Sequence, residues 1–117
     1  VEISEASVAA ATENAAKNGL KNVDFLASPV GDALDRLPFT PDVIVADPAF
    51  KGMEEGVPAR LAALGARRLV YVSCNPKTFV RDALALEAAG LRLAGLETVD
   101  LFPGALHVET VGTFERV

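Results

Sequence analysis

Two apolar runs in the middle of the chain are rich in β-branched residues. Residues 42–47 place Val43-Ile44-Val45-Ala46 between two aspartates, and residues 68–73 read Arg-Leu-Val-Tyr-Val-Ser. Continuous apolar runs of this length are typical of strands that are buried on both faces of a parallel sheet. We therefore predict two strands here, each covered on both faces.

Segments with an apolar residue at every third or fourth position surround these strands. The first begins after Ser4, a suitable N-cap, and ends before Gly19, which can adopt the left-handed conformation that follows many helices. Its predicted apolar face consists of Val8, Ala11 and Ala15 with Thr12. The remaining predicted helical segments are 33–37, 53–64 and 76–89.

Shorter apolar segments complete the pattern. Residues 1–3 and 23–27 are predicted as strand segments, and residues 91–99 and 107–114 as two final strands that form an antiparallel hairpin. Strands that alternate with helices of this length indicate an α/β fold with right-handed crossovers. No internal repeat or linker interrupts residues 1–117, so they are predicted to form one domain or part of one.

The composition fits one small globular domain. The chain has 117 residues, of which 50% are hydrophobic. Every apolar run is shorter than the roughly 18 residues that a membrane span needs. The start of the chain lacks the basic flank and apolar stretch of a signal peptide, and a single cysteine cannot form an internal disulfide. We expect a soluble protein in a reducing cytoplasm.

The net charge of −5 shapes the expectations for binding partners. Phosphate contacts with a nucleic-acid backbone need clustered lysine and arginine. Two short basic clusters occur, at Arg67-Arg68 and at Lys77 with Arg81, and such clusters usually belong to a solvated surface. The composition therefore does not suggest RNA binding, and strong RNA binding would have to come from elsewhere.

Residues with useful chemistry follow the predicted strands. Ligands of open α/β sheets bind beyond the carboxyl ends of the strands. Three polar segments fall at such ends: Glu2, Asp47-Pro48 and Cys74-Asn75-Pro76. This coincidence predicts a functional site at that edge of the sheet. No metal site is predicted.

Cys74 is the single cysteine, and it has two interpretations. A lone cysteine is most often an inert small residue of the core. Cys74, however, follows a predicted strand and precedes a predicted helix, so its sulfur would lie near a helix N-terminus, which favours a thiolate. This position is where a nucleophile would be placed.

Asp47 and Glu109 are the candidate carboxylates. Asp47 ends the first predicted strand, and its alternative role is a helix cap or turn residue. Glu109 interrupts an apolar strand, where a carboxylate is costly unless it is paired or faces a cleft, and a solvent-facing edge position is its alternative. His107 would share a face with Glu109 by the two-residue period and is predicted to be structural.

Three segments resemble signatures of the RNA uracil-5-methyltransferase family, which modifies ribosomal and transfer RNA. They are Asp47-Pro48-Ala49-Phe50-Lys51-Gly52, Val72-Ser73-Cys74-Asn75-Pro76-Lys77-Thr78-Phe79-Val80-Arg81-Asp82, and Phe102-Pro103 through His107-Val108-Glu109-Thr110-Val111. Their order and spacing match as well. The segments that resemble the region after the family's second strand are Val1-Glu2-Ile3, Asn14-Ala15 and Asn18-Gly19-Leu20. The resemblance therefore covers essentially the whole chain and points to the C-terminal catalytic part of the family.

By this resemblance the fold is a Rossmann-like class I S-adenosyl-L-methionine-dependent methyltransferase fold, incomplete at its N-terminus. The family's first strand and its glycine-rich cofactor loop are absent. Because that strand lies in the middle of the family's sheet, its loss would leave two strand edges unpaired and open to self-association. We expect a fragment of a longer protein, or a chain whose gap another chain fills, and we expect it to bind cofactor poorly alone.

The resemblance also implies roles for the candidate residues. The Cys74 thiolate would add to C6 of a uridine and activate C5, which then takes the methyl group of S-adenosylmethionine. Glu109 would remove the C5 proton so that the thiolate can leave. Glu2 would accept hydrogen bonds from the cofactor ribose, and Asp47 would contact the cofactor or the target base. The uridine would be flipped out of folded RNA into a pocket.

The sequence departs from the family's pattern at two places. Phe50 stands where relatives carry arginine, with Lys51 next to it, and Ser28-Pro29 occupies the position expected near the adenine. Two alternatives therefore stay open. One is a methyltransferase of this fold with another substrate and a structural Cys74, and the other is a non-catalytic α/β remnant that packs or dimerises.

Overall fold

Helices and strands alternate along the chain, which divides into two units. The computed structural model describes residues 1–117. In the first unit, Val1–Pro38, the helices are α1 (Glu5–Lys17) and α2 (Val30–Leu34). In the second unit, Phe39–Val117, the elements are β1 (Val43–Ala46), α3 (Val57–Ala63), β2 (Arg68–Ser73), α4 (Pro76–Ala88), β3 (Leu91–Val99) and β4 (Glu109–Arg116).

Helix α1 begins and ends where the sequence predicts. The Ser4 hydroxyl accepts a hydrogen bond from the Ser7 N–H at 3.2 Å, so it caps the helix. Gly19, just past the last turn, has a φ of +67°, which a residue with a side chain rarely adopts. The predicted apolar face is buried at Ala15, half-buried at Val8 and Ala11, and exposed at Thr12.

The predicted strand at residues 23–27 is wrong. Only an isolated parallel bridge between Glu2 and Ala27 forms, with two backbone hydrogen bonds of 3.0 Å. Val23 and Phe25 remain 42% and 37% exposed. A longer ladder would therefore bury little apolar surface, and a two-stranded pairing without such burial is barely stable.

The second unit contains a four-stranded sheet with the order β1-β2-β4-β3. Strand β1 runs parallel to β2, whereas β4 is antiparallel to both β2 and β3. The predicted final hairpin is confirmed, because β3 and β4 pair along their lengths. The register of β2 and β4 runs from Arg68 opposite Glu115 to Ser73 opposite Thr110. The carboxyl end of β2 therefore lies beside the start of β4.

Helix α4 covers one face of this sheet. Phe79 of α4 stacks on Tyr71 of β2, with ring centroids 5.2 Å apart and an interplanar angle of 6°, and its centroid is 6.5 Å from that of Phe114 in β4. Tyr71 and Phe114 have no exposed surface. Strand β4 carries Gly112 where Phe79 packs, and a Cβ atom there would lie 2.6 Å from Phe79 Cζ. The close contact of helix and sheet thus depends on a position without a side chain.

Strand β1 is not buried on both faces, contrary to the prediction. Val43 and Val45 share one face of the strand and are 45% and 70% exposed, so that face of β1 is largely open to solvent. In β2, Val70 and Val72 alternate with fully buried residues and are themselves half-buried. The sheet therefore has one covered face and one partly open face.

His107 lies outside the strand in which it was predicted. Strand β4 begins at Glu109, and residues 100–108 form an irregular connection that contains Pro103 and Gly104. Gly104 has a φ of +87°, which a regular strand does not accommodate. The two-residue period of the strand therefore does not relate His107 to Glu109.

Gly112→Ala is expected to destabilise the second unit. The new methyl group would overlap the rings of Phe79 and Phe114, and overpacking of this kind costs about 1–3 kcal/mol. Gly95→Ala in β3 is the matched control, because its Cβ would meet nothing closer than Thr113 Cβ at 3.9 Å. Urea denaturation should show a lowered midpoint for Gly112→Ala alone. Equal midpoints for the two variants would contradict the packing described.

The open edge of β1 is expected to support self-association of the isolated chain. Unpaired backbone groups of an edge strand pair readily with another strand, and a lysine on the edge opposes this pairing. Val45→Lys should therefore shift the chain toward monomer in size-exclusion chromatography with light scattering. Leu84→Lys, at a position of α4 that is 62% exposed, should leave the distribution unchanged. A wild-type chain that stays monomeric at every concentration would contradict the expectation.

Candidate functional site

Three of the four predicted site residues belong to the second unit and lie at the end of its sheet where the parallel strands β1 and β2 terminate. Asp47 follows the carboxyl end of β1, Cys74 follows the carboxyl end of the parallel strand β2, and Glu109 is the first residue of β4. Glu2 belongs to the first unit, where its Oε1 accepts a hydrogen bond from the Ser4 N–H at 2.8 Å. The structure thus brings Asp47, Cys74 and Glu109 to the same end of the sheet.

The register of β2 and β4 aligns Cys74 with Glu109. The last pair of the ladder is Ser73 opposite Thr110, so one further step places Cys74 opposite Glu109. Residues opposite each other on antiparallel strands point to the same face, with Cβ atoms about 4.5–5.5 Å apart where the pairing continues. Both residues are half-buried. Cys74 lies just beyond the end of β2, so the register places the two residues at the same level at this end of the sheet, and both remain partly accessible to a ligand.

A tight turn holds Cys74 between the strand and the helix. The Ser73 hydroxyl accepts a hydrogen bond from the Asn75 N–H at 3.2 Å and donates one to the Asn75 carbonyl at 3.0 Å. Asn75 is also the N-cap of α4, because its Oδ1 accepts a hydrogen bond from the Lys77 N–H at 3.1 Å. Cys74 therefore lies one residue before the cap of α4, as its sequence position predicts, and its thiol is free.

Residues 47–53, which we call the 47–53 loop, connect the end of β1 to the start of α4 through hydrogen bonds. The Phe50 carbonyl accepts hydrogen bonds from Asn75 Nδ2 at 3.3 Å and from Thr78 Oγ1 at 3.5 Å. Arg81 Nη2 donates to the carbonyls of Lys51 at 3.0 Å and Met53 at 2.9 Å. The helix that follows Cys74 therefore fixes the loop that begins with Asp47.

A buried carboxylate completes this attachment. Asp82 is 2% exposed, and its Oδ2 accepts hydrogen bonds from the Met53 N–H at 2.8 Å and the Tyr71 hydroxyl at 2.7 Å. Its Oδ1 accepts from Arg81 Nε at 2.8 Å. Gly52 has a φ of +75°, and a Cβ there would lie 2.5 Å from Asp82 Oδ2, so the loop can approach the carboxylate only with glycine at this position.

Sequence reasoning grouped Arg81 with Lys77 in a cluster that usually belongs to a solvated surface, and it missed these contacts. The Arg81 guanidinium binds Asp82 and two backbone carbonyls, although the side chain is 55% exposed. A signal was available, because Asp82 lies three residues after Phe79 and four before Leu86, on the apolar face of the helix. A carboxylate on that face must be paired, and the adjacent arginine is the expected partner.

Phe50 and His107 form an aromatic pair at the same end of the sheet. Their ring centroids are 6.2 Å apart and their planes are inclined by 79°, which is an edge-to-face arrangement. Phe50 is 55% exposed, and His107 is exposed as well. The pair is therefore held at the surface rather than in the core.

A separate cavity of about 450 Å³ opens at the opposite end of the sheet, beside the first residues of β1 and β2. Its lining includes Arg68 and Glu115, which form an ion pair of 2.9 Å. Ligands of open α/β sheets bind at the carboxyl ends of the strands, so we assign the candidate site to the end of the sheet with Cys74.

No group of His, Cys, Asp and Glu side chains is arranged to hold a metal ion. None of the helices has both the length and the apolar character for crossing a membrane.

Tyr71→Phe is expected to lower the stability of the chain in a pH-dependent way. It removes one donor from Asp82 but keeps the stacked ring, so the free energy of unfolding should fall by about 1–2 kcal/mol at neutral pH. Burial, helped by the hydrogen bond to Asp82, raises the pKa of Tyr71 well above its ordinary value. The neutral phenol therefore contributes stability that is complete below about pH 10 and is lost as the pH rises further.

Tyr71 is the only tyrosine of the chain, so its ionisation can be followed directly by tyrosinate absorbance. In the wild type, ionisation should coincide with unfolding, and Tyr71→Phe should unfold less steeply above pH 10, the region of its ordinary pKa. Ionisation of the folded protein near the ordinary pKa of tyrosine would contradict the burial of its hydroxyl.

No protein-family model matches the chain. Among curated proteins, it is 38% identical over 116 residues to an uncharacterized RNA methyltransferase of Clostridium acetobutylicum and 44% identical over 111 residues to one of Listeria monocytogenes. The alignments cover 99% and 90% of this chain but 25% and 23% of the relatives. The chain therefore spans about a quarter of the length of the curated relatives it matches.

Solved structures of methyltransferases also match. The tRNA (uracil-54, C5)-methyltransferase of Pyrococcus abyssi, in complex with S-adenosyl-L-homocysteine, superposes with a TM-score of 0.75 at 31% identity, covering 96% of this chain and 27% of that chain. Magnesium protoporphyrin IX methyltransferase of Synechocystis gives a TM-score of 0.69 at 17% identity, covering 98% and 57%, and shows the fold alone. The chain therefore carries part of the Rossmann-like class I methyltransferase fold and is related to RNA methyltransferases over nearly its whole length.

Proposed function

We propose that the full-length gene product that carries this chain transfers a methyl group from S-adenosylmethionine to C5 of a uridine in ribosomal or transfer RNA. The chain would supply the C-terminal catalytic part. The observation that carries this proposal is the register of β2 and β4, which brings Cys74, one residue past the carboxyl end of β2, to the level of Glu109, the first residue of β4. The relatives, which are named as RNA methyltransferases, and the uracil-methylating structural neighbour support it.

Cys74 and Glu109 divide the work on the uracil ring. The Cys74 thiolate adds to C6, and the electrons of the C5–C6 double bond move into the ring to form an enolate with a nucleophilic C5. Bound S-adenosylmethionine would supply the methyl group that C5 takes, and breaking of its S–CH3 bond would leave S-adenosylhomocysteine. Glu109 then removes the C5 proton, the C5–C6 double bond re-forms, and the thiolate leaves. Cys74 acts on C6 and Glu109 on the proton of C5, which are neighbouring positions of the ring. This fits the register of β2 and β4, which brings the two residues to the same level of the sheet.

Glu2 and Asp47 are proposed to bind the cofactor or the target base. One carboxylate oxygen of Glu2 accepts the Ser4 N–H, and the side chain is exposed, so its second oxygen is free to accept a ribose hydroxyl. Asp47 is exposed at the end of β1, in the loop that α4 holds. Both are acceptors, as hydroxyl and amino groups of a nucleoside require.

The share of each relative that the chain matches bears on whether the chain can act alone. It matches about a quarter of each, so we propose that it acts within a longer polypeptide and binds cofactor weakly by itself. Efficient methyl transfer by this chain alone would contradict that proposal. A cytoplasmic location stays a prediction.

Incubation of the full-length gene product with S-adenosylmethionine and 5-fluorouridine RNA is expected to give a covalent adduct. Fluorine at C5 cannot be removed as a proton, so the thioether to C6 is trapped. Cys74→Ala should give no adduct. Glu109→Gln should lower turnover about 10²- to 10⁴-fold and accumulate an adduct even with ordinary uridine, because the C5 proton is not removed. Glu97→Gln, an exposed carboxylate of β3, is the control and should behave as wild type.

Each contrary outcome points to one of the alternatives. Cofactor binding without any adduct would indicate a methyltransferase with another substrate and a structural Cys74. Absence of cofactor binding by the full-length product would indicate a non-catalytic remnant. An adduct that survives Cys74→Ala would overturn the assignment of the nucleophile.

A further inference from the structure

The aromatic pair of Phe50 and His107 contributes little to the core. Both rings are exposed, and Phe50 retains 55% of its accessible surface. In an edge-to-face pair the two rings do not cover each other's faces as stacked rings do. The pair therefore presents exposed aromatic surface to a ligand.

The pair joins the 47–53 loop to the connection that leads into β4. The Phe50 carbonyl accepts a hydrogen bond from Asn75, the residue after Cys74, at 3.3 Å. His107 precedes Glu109 by two residues. Each ring therefore belongs to a segment that adjoins one of the two candidate residues.

We propose that the Phe50–His107 pair is a stacking platform for a second nucleobase of the RNA, one that neighbours the uridine bound at Cys74. The proposal rests on the proposed function and extends it to the recognition of single-stranded RNA around the target. Unstacked bases of single-stranded RNA are held by aromatic side chains, including histidine, and each stacked base contributes about 1–3 kcal/mol.

The charge of the chain favours stacking over phosphate contacts at this end of the sheet. The net charge is −5, and the nearby cations are the exposed side chains of Lys51 and Lys77, together with Arg81, which is paired with Asp82. Two lysines can contact a nucleic-acid backbone but do not bind it strongly, since strong backbone binding needs many neutralised phosphates. A stacked base adds affinity without further positive charge, and it fixes where the target uridine lies.

The test combines protein variants with abasic substitutions in the RNA. Using the full-length gene product, KM for methyl transfer and the equilibrium affinity for RNA oligonucleotides are measured with an abasic nucleotide at each position that flanks the uridine. For the wild type, one position should weaken binding about 10-fold. Phe50→Leu should weaken binding of intact RNA by a similar factor and lose nothing further at that position.

Two further variants separate a ring effect from a general one. Phe50→Tyr keeps a stacking ring and should bind as wild type. Phe102→Leu, which replaces an exposed ring in the 100–108 connection that carries His107, is the matched control and should also bind as wild type. If Phe50→Leu fails to fold, the abasic scan of the wild type and of Phe50→Tyr still tests the platform.

The outcomes for the platform and for the proposed function are distinct. Additive losses from Phe50→Leu and from every abasic position would overturn the platform, even with a Cys74-dependent adduct present. A Phe50-dependent position without any adduct would overturn the proposed function and leave the platform standing. Loss of thermal stability in Phe50→Leu with unchanged RNA affinity would show that the ring packs against protein, and this result also overturns the platform.

Discussion

The carboxylate of Asp82 is the interaction on which the arrangement of the second unit depends. It is almost completely buried, and a buried charge is tolerated only when donors surround it. Its donors come from three separate segments: the hydroxyl of Tyr71 in β2, the guanidinium of Arg81 in α4 and the backbone N–H of Met53 in the 47–53 loop. Loss of any one donor leaves the carboxylate less well paired, so the three segments keep one arrangement. Strand, helix and loop are thereby fixed around the turn that holds Cys74.

The pairing of β2 with β4 imposes a second constraint on the same turn. A slip of one residue in this register would reverse the face of every side chain in β4 and would separate Glu109 from Cys74. Gly112 opposes such a slip, because it is the residue of β4 whose missing side chain admits the ring of Phe79. The packing of α4 on the covered face therefore maintains the alignment of the candidate residues at the end of the sheet. The packing of α4 on the sheet therefore both stabilises the unit and sets the geometry of the site.

The sequence predicted the order of elements well because helix caps and apolar periods are local signals. It placed α1 between Ser4 and Gly19 and Cys74 between a strand and a helix, as the structure does. It was wrong about the burial of β1, because a run of β-branched residues does not show whether both faces of the strand are covered. It was also wrong about His107, since the turn at Gly104 shortens β4. Apart from the adjacent Arg81, the contacts of Asp82 join residues that are 11 and 29 positions apart, and such pairing follows from the tertiary fold rather than from local spacing.

The way in which the 47–53 loop is held explains how its side chains can change. Helix α4 and its N-cap donate hydrogen bonds to the carbonyl oxygens of Phe50 and Lys51, so these hydrogen bonds do not depend on the side chains at either position. At Gly52, by contrast, any side chain would collide with Asp82. Replacement of the arginine in the family's motif by Phe50 therefore leaves the attachment of the loop intact and alters what the loop presents to a ligand. A cationic side chain is exchanged for an aromatic one in the loop that accepts a hydrogen bond from Asn75, the residue after Cys74.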